Sequence, residues 1–136
     1  MLKGIPSVLS LELLKVLMEM GHGDEIVIAD GNFPAASVAQ RLIRSDGNGV
    51  PELLDAILRF FPLDTFVDNP VALMAVVPGD TYKPTIWEDY RRILAEAVYS
   101  ARMTSSPTEA PAGRLTSSAP GYRSWHAVGL PSQVTV

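Results

Sequence analysis

Up to about residue 101, the chain alternates two patterns: stretches with apolar side chains at helical spacing, and short apolar runs bounded by Gly and Pro. Helices and buried strands in alternation specify an α/β architecture. SLELLKVLMEMG (10–21) is the first predicted helix. Ser10 can cap its free N–H groups, Glu12 sits near the positive end, and Gly21 suits the C-terminal turn. Leu13, Leu14, Leu17 and Met20 share a face that the spacing turns toward a core. EIVIAD (25–30) reads as a short buried strand. FPAASVAQRLI (33–43) is open between a short helix and a strand. VPELLDAILRFF (50–61) predicts a helix with Pro51 pre-set in its first turn, stopping before Pro62. PVALMAVVP (70–78) predicts a second buried strand, and PTIWEDYRRILAEAV (84–98) a third helix striped by Ile86, Tyr90, Ile93, Leu94 and Ala97.

The character changes after residue 101. The stretch RMTSSPTEAPAGRLTSSAPGYRSWHAVGLPSQVTV is mostly Ser, Thr, Pro, Ala and Gly, with neither a helical stripe nor sustained alternation. Such a segment buries too little side chain to offset its ordering entropy, so residues 102–136 are expected to be a disordered tail behind a domain at 1–101. The charge divides at the same place. Fourteen of the fifteen acids precede residue 102, while the tail sets Arg102, Arg114 and Arg123 against Glu109. The net charge of −4 with no basic cluster argues against nucleic acid or an anionic membrane as partner. Zero cysteines exclude disulfides and thiolate chemistry. The N-terminal stretch is not patterned as a signal peptide and no apolar run matches a membrane span, so a cytoplasmic location is expected.

MGHGDEIVIADGNFPA (20–35) carries the candidate chemistry. A histidine on a Gly-flanked turn past a helix end escapes helix packing, and imidazoles titrate near neutrality, so His22 could take and return a proton. Asp30 closes the apolar run, at the sheet edge where open α/β sheets bind ligands, and a carboxylate there accepts hydrogen bonds from hydroxyls. One proton-transfer group and one hydroxyl acceptor suit a polyol or sugar. The competing readings are structural: a histidine favoured by a helix dipole, and an Asp-Gly-Asn turn. On spacing alone the structural readings lead. Asp64, in PLDTFVD, reads as a cap or turn residue, and Trp87 and Tyr90 as packing. DGNG (46–49) lacks the Lys-Ser/Thr of a phosphate loop, and no G-x-S-x-G elbow is present. His22 and His126 are the only histidines, which disfavours a histidine-rich metal centre.

Longer motifs shift that balance. LKGIPSVLSLELLKVLMEMGHGDEIVIADGNFPA (2–35) closely resembles the N-terminal region of the L-fucose mutarotases, in the family they share with D-ribose pyranase. IRSDGNGVPELLDAILRFFPLDTFVDNPVALMAVVPGD (43–80) and WEDYRRIL (87–94) continue the resemblance in order, to about residue 98. The resemblance implies a compact α/β domain of the ribose pyranase/fucose mutarotase type that assembles into homo-oligomeric rings, decamers in bacterial members, with active sites near subunit contacts. It implies interconversion of the anomers of a reducing monosaccharide, L-fucose above all, with no cofactor and no metal. It assigns proton transfer to His22, a sugar-hydroxyl contact to Asp30, and an assisting acidic role to Asp64.

Beyond residue 98 the resemblance ends. The family's Phe-Tyr-Glu-Arg segment has no equivalent in VYSARMTSSPTEAPAG, and its Tyr-Gly-Asn element has none in APGYRSWHAVG, so Tyr122 inherits no role. The usual C-terminal elements are therefore expected to be missing, through an altered reading frame or alternative exon. Their loss would expose core faces and weaken any activity. A non-catalytic sugar-binding or assembly subunit is the competing function.

Overall fold

The computed structural model describes residues 3–64, 67, 70–74, 76, 78–81, 83–104, 116–118 and 133–135. The elements run α1 (Leu11–Glu19), β1 (Glu25–Val27), α2 (Ala35–Val38), β2 (Arg41–Leu42), α3 (Val50–Leu58), β3 (Ala72–Met74), α4 (Ile86–Thr104), β4 (Thr116–Ser118) and β5 (Gln133–Thr135). The strand pairs among the described residues are parallel, in keeping with the α/β expectation. The chain divides into two compact units, Met1–Phe61 with Ala127–Val136, and Pro62–His126.

The first unit is organised by α1 and α3. Ser10 caps α1 as expected, its Oγ accepting the Leu13 N–H at 3.1 Å. Leu13, Val16 and Leu17 then bury one face of the helix, while Leu14 and Met20 are half-buried. Val16 belongs to the core although the predicted stripe omits it. From α3 come Leu53, Ala56 and Ile57, and Val8, Leu9 and Ile43 complete the cluster. Pro51 sits at the start of α3, and that helix ends at Leu58, ahead of Pro62.

The sheet of this unit has the order β1-β5-β2, with Ile26 opposite Val134 and Arg41 also opposite Val134. Among the described residues β1 has a partner on one side, β5. This explains why Glu25 is exposed and Ile26 and Val27 only half-buried, where the apolar run predicts full burial. The open stretch 33–43 proves to be both alternatives in succession, α2 and then β2.

In the second unit β3 pairs with β4, Leu73 opposite Ser117, as a two-stranded sheet. Among the described residues each of these strands has one neighbour, and Ala72 is exposed and Leu73 half-buried rather than fully buried. On α4, Ile93 and Leu94 are buried, Tyr90 and Ala97 half-buried, and Ile86 exposed, so the predicted stripe is graded along the helix. Of the segment after residue 104, only β4 and β5 are among the described residues; Tyr122, Trp125 and His126 lie outside them.

Candidate active site

His22 stands on the turn that joins α1 to β1. The helix ends at Glu19; Met20 leaves it extended, at φ −68° and ψ 134°, while its N–H still donates to the Val16 carbonyl at 2.9 Å. Half-buried Met20 packs against the core cluster, and the left-handed stop expected at Gly21 is not used. The left-handed residue is Gly23, at φ +88°. The turn closes through Asp24. Its Oδ2 accepts the Gly21 N–H at 2.7 Å, and its own N–H donates to the Gly21 carbonyl at 3.2 Å. His22 is exposed in the middle of this closed turn and Asp24 is half-buried at its end. Just before it, Glu19 accepts from Arg41 Nη1 at 2.9 Å and lies 3.7 Å from Lys15 Nζ, which ties the end of α1 to the first residue of β2.

Asp30 lies past the other end of β1, on the carboxyl edge of the parallel sheet where α/β folds place ligands. It is exposed, and both its oxygens are held by Asn32: Oδ1 accepts the Asn32 N–H at 3.0 Å and Oδ2 the side-chain amide at 3.3 Å. The Phe33 N–H donates to the Asp30 carbonyl at 3.1 Å, completing the turn. The turn role weighed for Asp-Gly-Asn is therefore real. It leaves each carboxylate oxygen with a further lone pair for a hydroxyl. His22 and Asp30 thus flank the three residues of β1 from opposite ends of one unit. Asp64 is half-buried at the beginning of the other unit.

The sequence reading overlooks two residues at these turns, Asp24 and Asn32. Asp24 is given no role there, yet Gly-His-Gly-Asp sets a carboxylate where it can reach back to a free N–H, the ordinary Asx device. Asn32 carries the same kind of signal through its position two residues after an aspartate. The charged pair that shifts most clearly lies elsewhere: the Arg44 guanidinium donates to both oxygens of Asp46 at 2.9 Å and holds its carboxyl below the usual carboxylate range. Among the described residues no group of acids and histidines is arranged to hold a metal ion, and no helix is long and apolar enough to cross a membrane.

Known proteins carry the same pattern. The chain is 54% identical over 102 residues to the fucose mutarotase of Mus musculus, covering 71% of this chain and 67% of that one. It is 51% identical over 102 residues to the fucose mutarotase of Homo sapiens, covering 71% and 66%. These alignments span about two thirds of the curated relatives' length. Among solved structures, the fucose mutarotase of Streptococcus pneumoniae, determined in complex with L-fucose, matches with a TM-score of 0.70 and 46% identity, covering 86% of this chain and 76% of its own. The family model of the RbsD / FucU transport proteins matches residues 3–114, which takes in His22, Asp30 and Asp64 and runs past residue 98. With an α/β fold of parallel strands and a family match over most of its length, the chain belongs to the RbsD / FucU transport protein family.

Proposed function

We propose that this chain is a mutarotase that interconverts the α and β anomers of L-fucose or a closely related reducing monosaccharide. The observation that carries the proposal is the identity to fucose mutarotases, within a family match that includes all three candidate residues. The reaction fits this chain's side chains. A base removes the proton from the anomeric hydroxyl while an acid delivers one to the ring oxygen. The bond from the anomeric carbon to the ring oxygen breaks, leaving an open-chain carbonyl compound. Rotation presents the other carbonyl face, and reclosure reverses both proton transfers. His22, exposed on its glycine-flanked turn, exchanges the proton. Asp30 accepts a sugar hydroxyl with the lone pairs that Asn32 leaves available. Asp64 assists as a second acidic group. The chemistry belongs to residues 1–101, with 102–136 as a segment of separate character.

His22 and Asp30 flank β1 from opposite ends, so a site shared between subunits of a homo-oligomer is part of the proposal. Leu11 and Met18, 86% and 87% exposed on one side of α1, are apolar surface of the kind assemblies cover. A cytoplasmic setting accords with the chain's composition. The second reading is a non-catalytic sugar-binding or assembly subunit, favoured by the want of a Tyr-Gly-Asn element after residue 98. Magnetisation exchange between the α- and β-fucose NMR signals separates the two. Enhanced exchange that disappears in His22→Ala supports the mutarotase; ligand-induced shifts without exchange support binding alone.

A further inference from the structure

We infer that Asp24 is a positioning residue for His22, an inference that rests on the proton-transfer role proposed above and adds to it. The histidine sits between Gly21 and Gly23, the two residues that restrict a backbone least. Gly23 is required, since its φ of +88° is a conformation that side chains resist. A turn with such a residue on each side of its functional group would by itself leave that group poorly fixed. Asp24 removes this freedom. Its carboxylate takes the N–H of the residue before His22 at 2.7 Å, and its own N–H is bound to the carbonyl of that same residue at 3.2 Å. His22 and Gly23 are the whole of what lies inside this double tie.

The tie has the properties that positioning needs. Its acceptor is a carboxylate oxygen and its bond is short at 2.7 Å, and charge-assisted bonds of this kind are roughly twice as strong as neutral ones. Asp24 is half-buried, which limits competition from water, while His22 beside it is exposed to substrate. One end of the tie follows directly from α1 and its buried face, and the other leads into β1. Asp24 thereby fixes the histidine's backbone to two packed elements. Proton transfer in a bound sugar depends on such placement, because small displacements of a reacting group reduce the rate steeply.

The test uses the full chain with L-fucose, reading anomer exchange by NMR together with the backbone order parameter at His22. Asp24→Ala is expected to lower kcat roughly ten- to a hundredfold with KM held within about twofold. The order parameter at His22 should fall from about 0.85 to below about 0.6. Asp24→Asn keeps an oxygen that accepts the Gly21 N–H, and should restore both readouts. Wild-type kcat or an unchanged order parameter in Asp24→Ala overturns the inference, as does an Asp24→Asn protein no better than Asp24→Ala. Should Asp24→Ala fail to fold, Gly21→Pro deletes the donor of the same bond and must produce the same loss of kcat, and a wild-type kcat there overturns the inference. His22→Ala serves as the separate control. If it exchanges anomers like the wild type, the proton-transfer reading fails; if it is inactive while Asp24→Ala is fully active and rigid, only the positioning role fails.

Discussion

The turn before β1 and the turn after it are both tied by an aspartate to a backbone N–H, but the ties run in opposite directions. Asp24 reaches back to Gly21, across the residue proposed to do chemistry. Asp30 reaches forward to Asn32 and is itself the proposed sugar contact. The first turn also hangs from a helix that buries Leu13, Val16 and Leu17, whereas the second leads into α2, which has no buried residue. The difference separates two ways of building a site. At the first turn, structural and chemical duties fall on different side chains and can be removed one at a time. At the second they share one carboxylate, beside the backbone bond from the Phe33 N–H to the Asp30 carbonyl.

The sharpest challenge to this comparison is His22→Ala. Loss of a general acid–base is expected to reduce catalysed anomer exchange by about 10²–10⁴-fold. Because the side chain is exposed, the thermal midpoint should stay in place; a large drop would mean that His22 shares the structural duty after all.

Next in size is the anchorage of the two turns. Leu13 is 1% exposed in the core beneath the first, so Leu13→Ala should lose about 2–5 kcal/mol in urea unfolding. Val38, 47% exposed on α2 behind the second turn, should cost no more than about 0.5 kcal/mol as Val38→Ala. Equal costs would erase the claimed difference in anchorage.

Asp30→Ala removes a charged acceptor and should weaken fucose binding by about 1.5–3 kcal/mol, read by calorimetry. Asp30→Asn preserves an acceptor for the Asn32 N–H and should retain the turn's amide shifts while still binding sugar less well. If both variants bind like wild type, Asp30 is a turn residue only.

The smallest effect concerns the exposed Arg44–Asp46 pair, a tie of two side chains rather than of side chain to backbone. The Arg44 hydrogen bond lowers the carboxyl's pKa, so its contribution is present above the ordinary carboxylate range and is lost as pH falls through the depressed value. Full exposure keeps that contribution small. A carboxyl-carbon NMR titration should put Asp46 below an ordinary aspartate, and Arg44→Gln should return it.

Much of this arrangement is legible in the sequence. Ser10, Pro51 and the apolar positions of α1, α3 and α4 specify helices locally, because capping and a 3.6-residue period act within a few residues. The strands are less legible. An apolar run such as EIVIAD announces extended structure without saying how many neighbours it has, and among the described residues β1 has one. Of the site, Gly-His-Gly and Asp-Gly-Asn mark the two turns, but the Asp24 bond back to Gly21 depends on which glycine adopts the left-handed conformation. Either could, and the structure gives that role to Gly23.

The sequence by itself determined the α/β class, the helices, the family motifs and the identity of the candidate groups. Each of these is fixed by side-chain chemistry over short spans. Only the tertiary structure decided that Gln133–Thr135 lies between β1 and β2, and that His22 and Asp30 flank β1 from opposite ends. Those facts depend on hydrogen bonds between segments far apart in the chain. A strand's own residues supply the donors and acceptors for such bonds without specifying their partners.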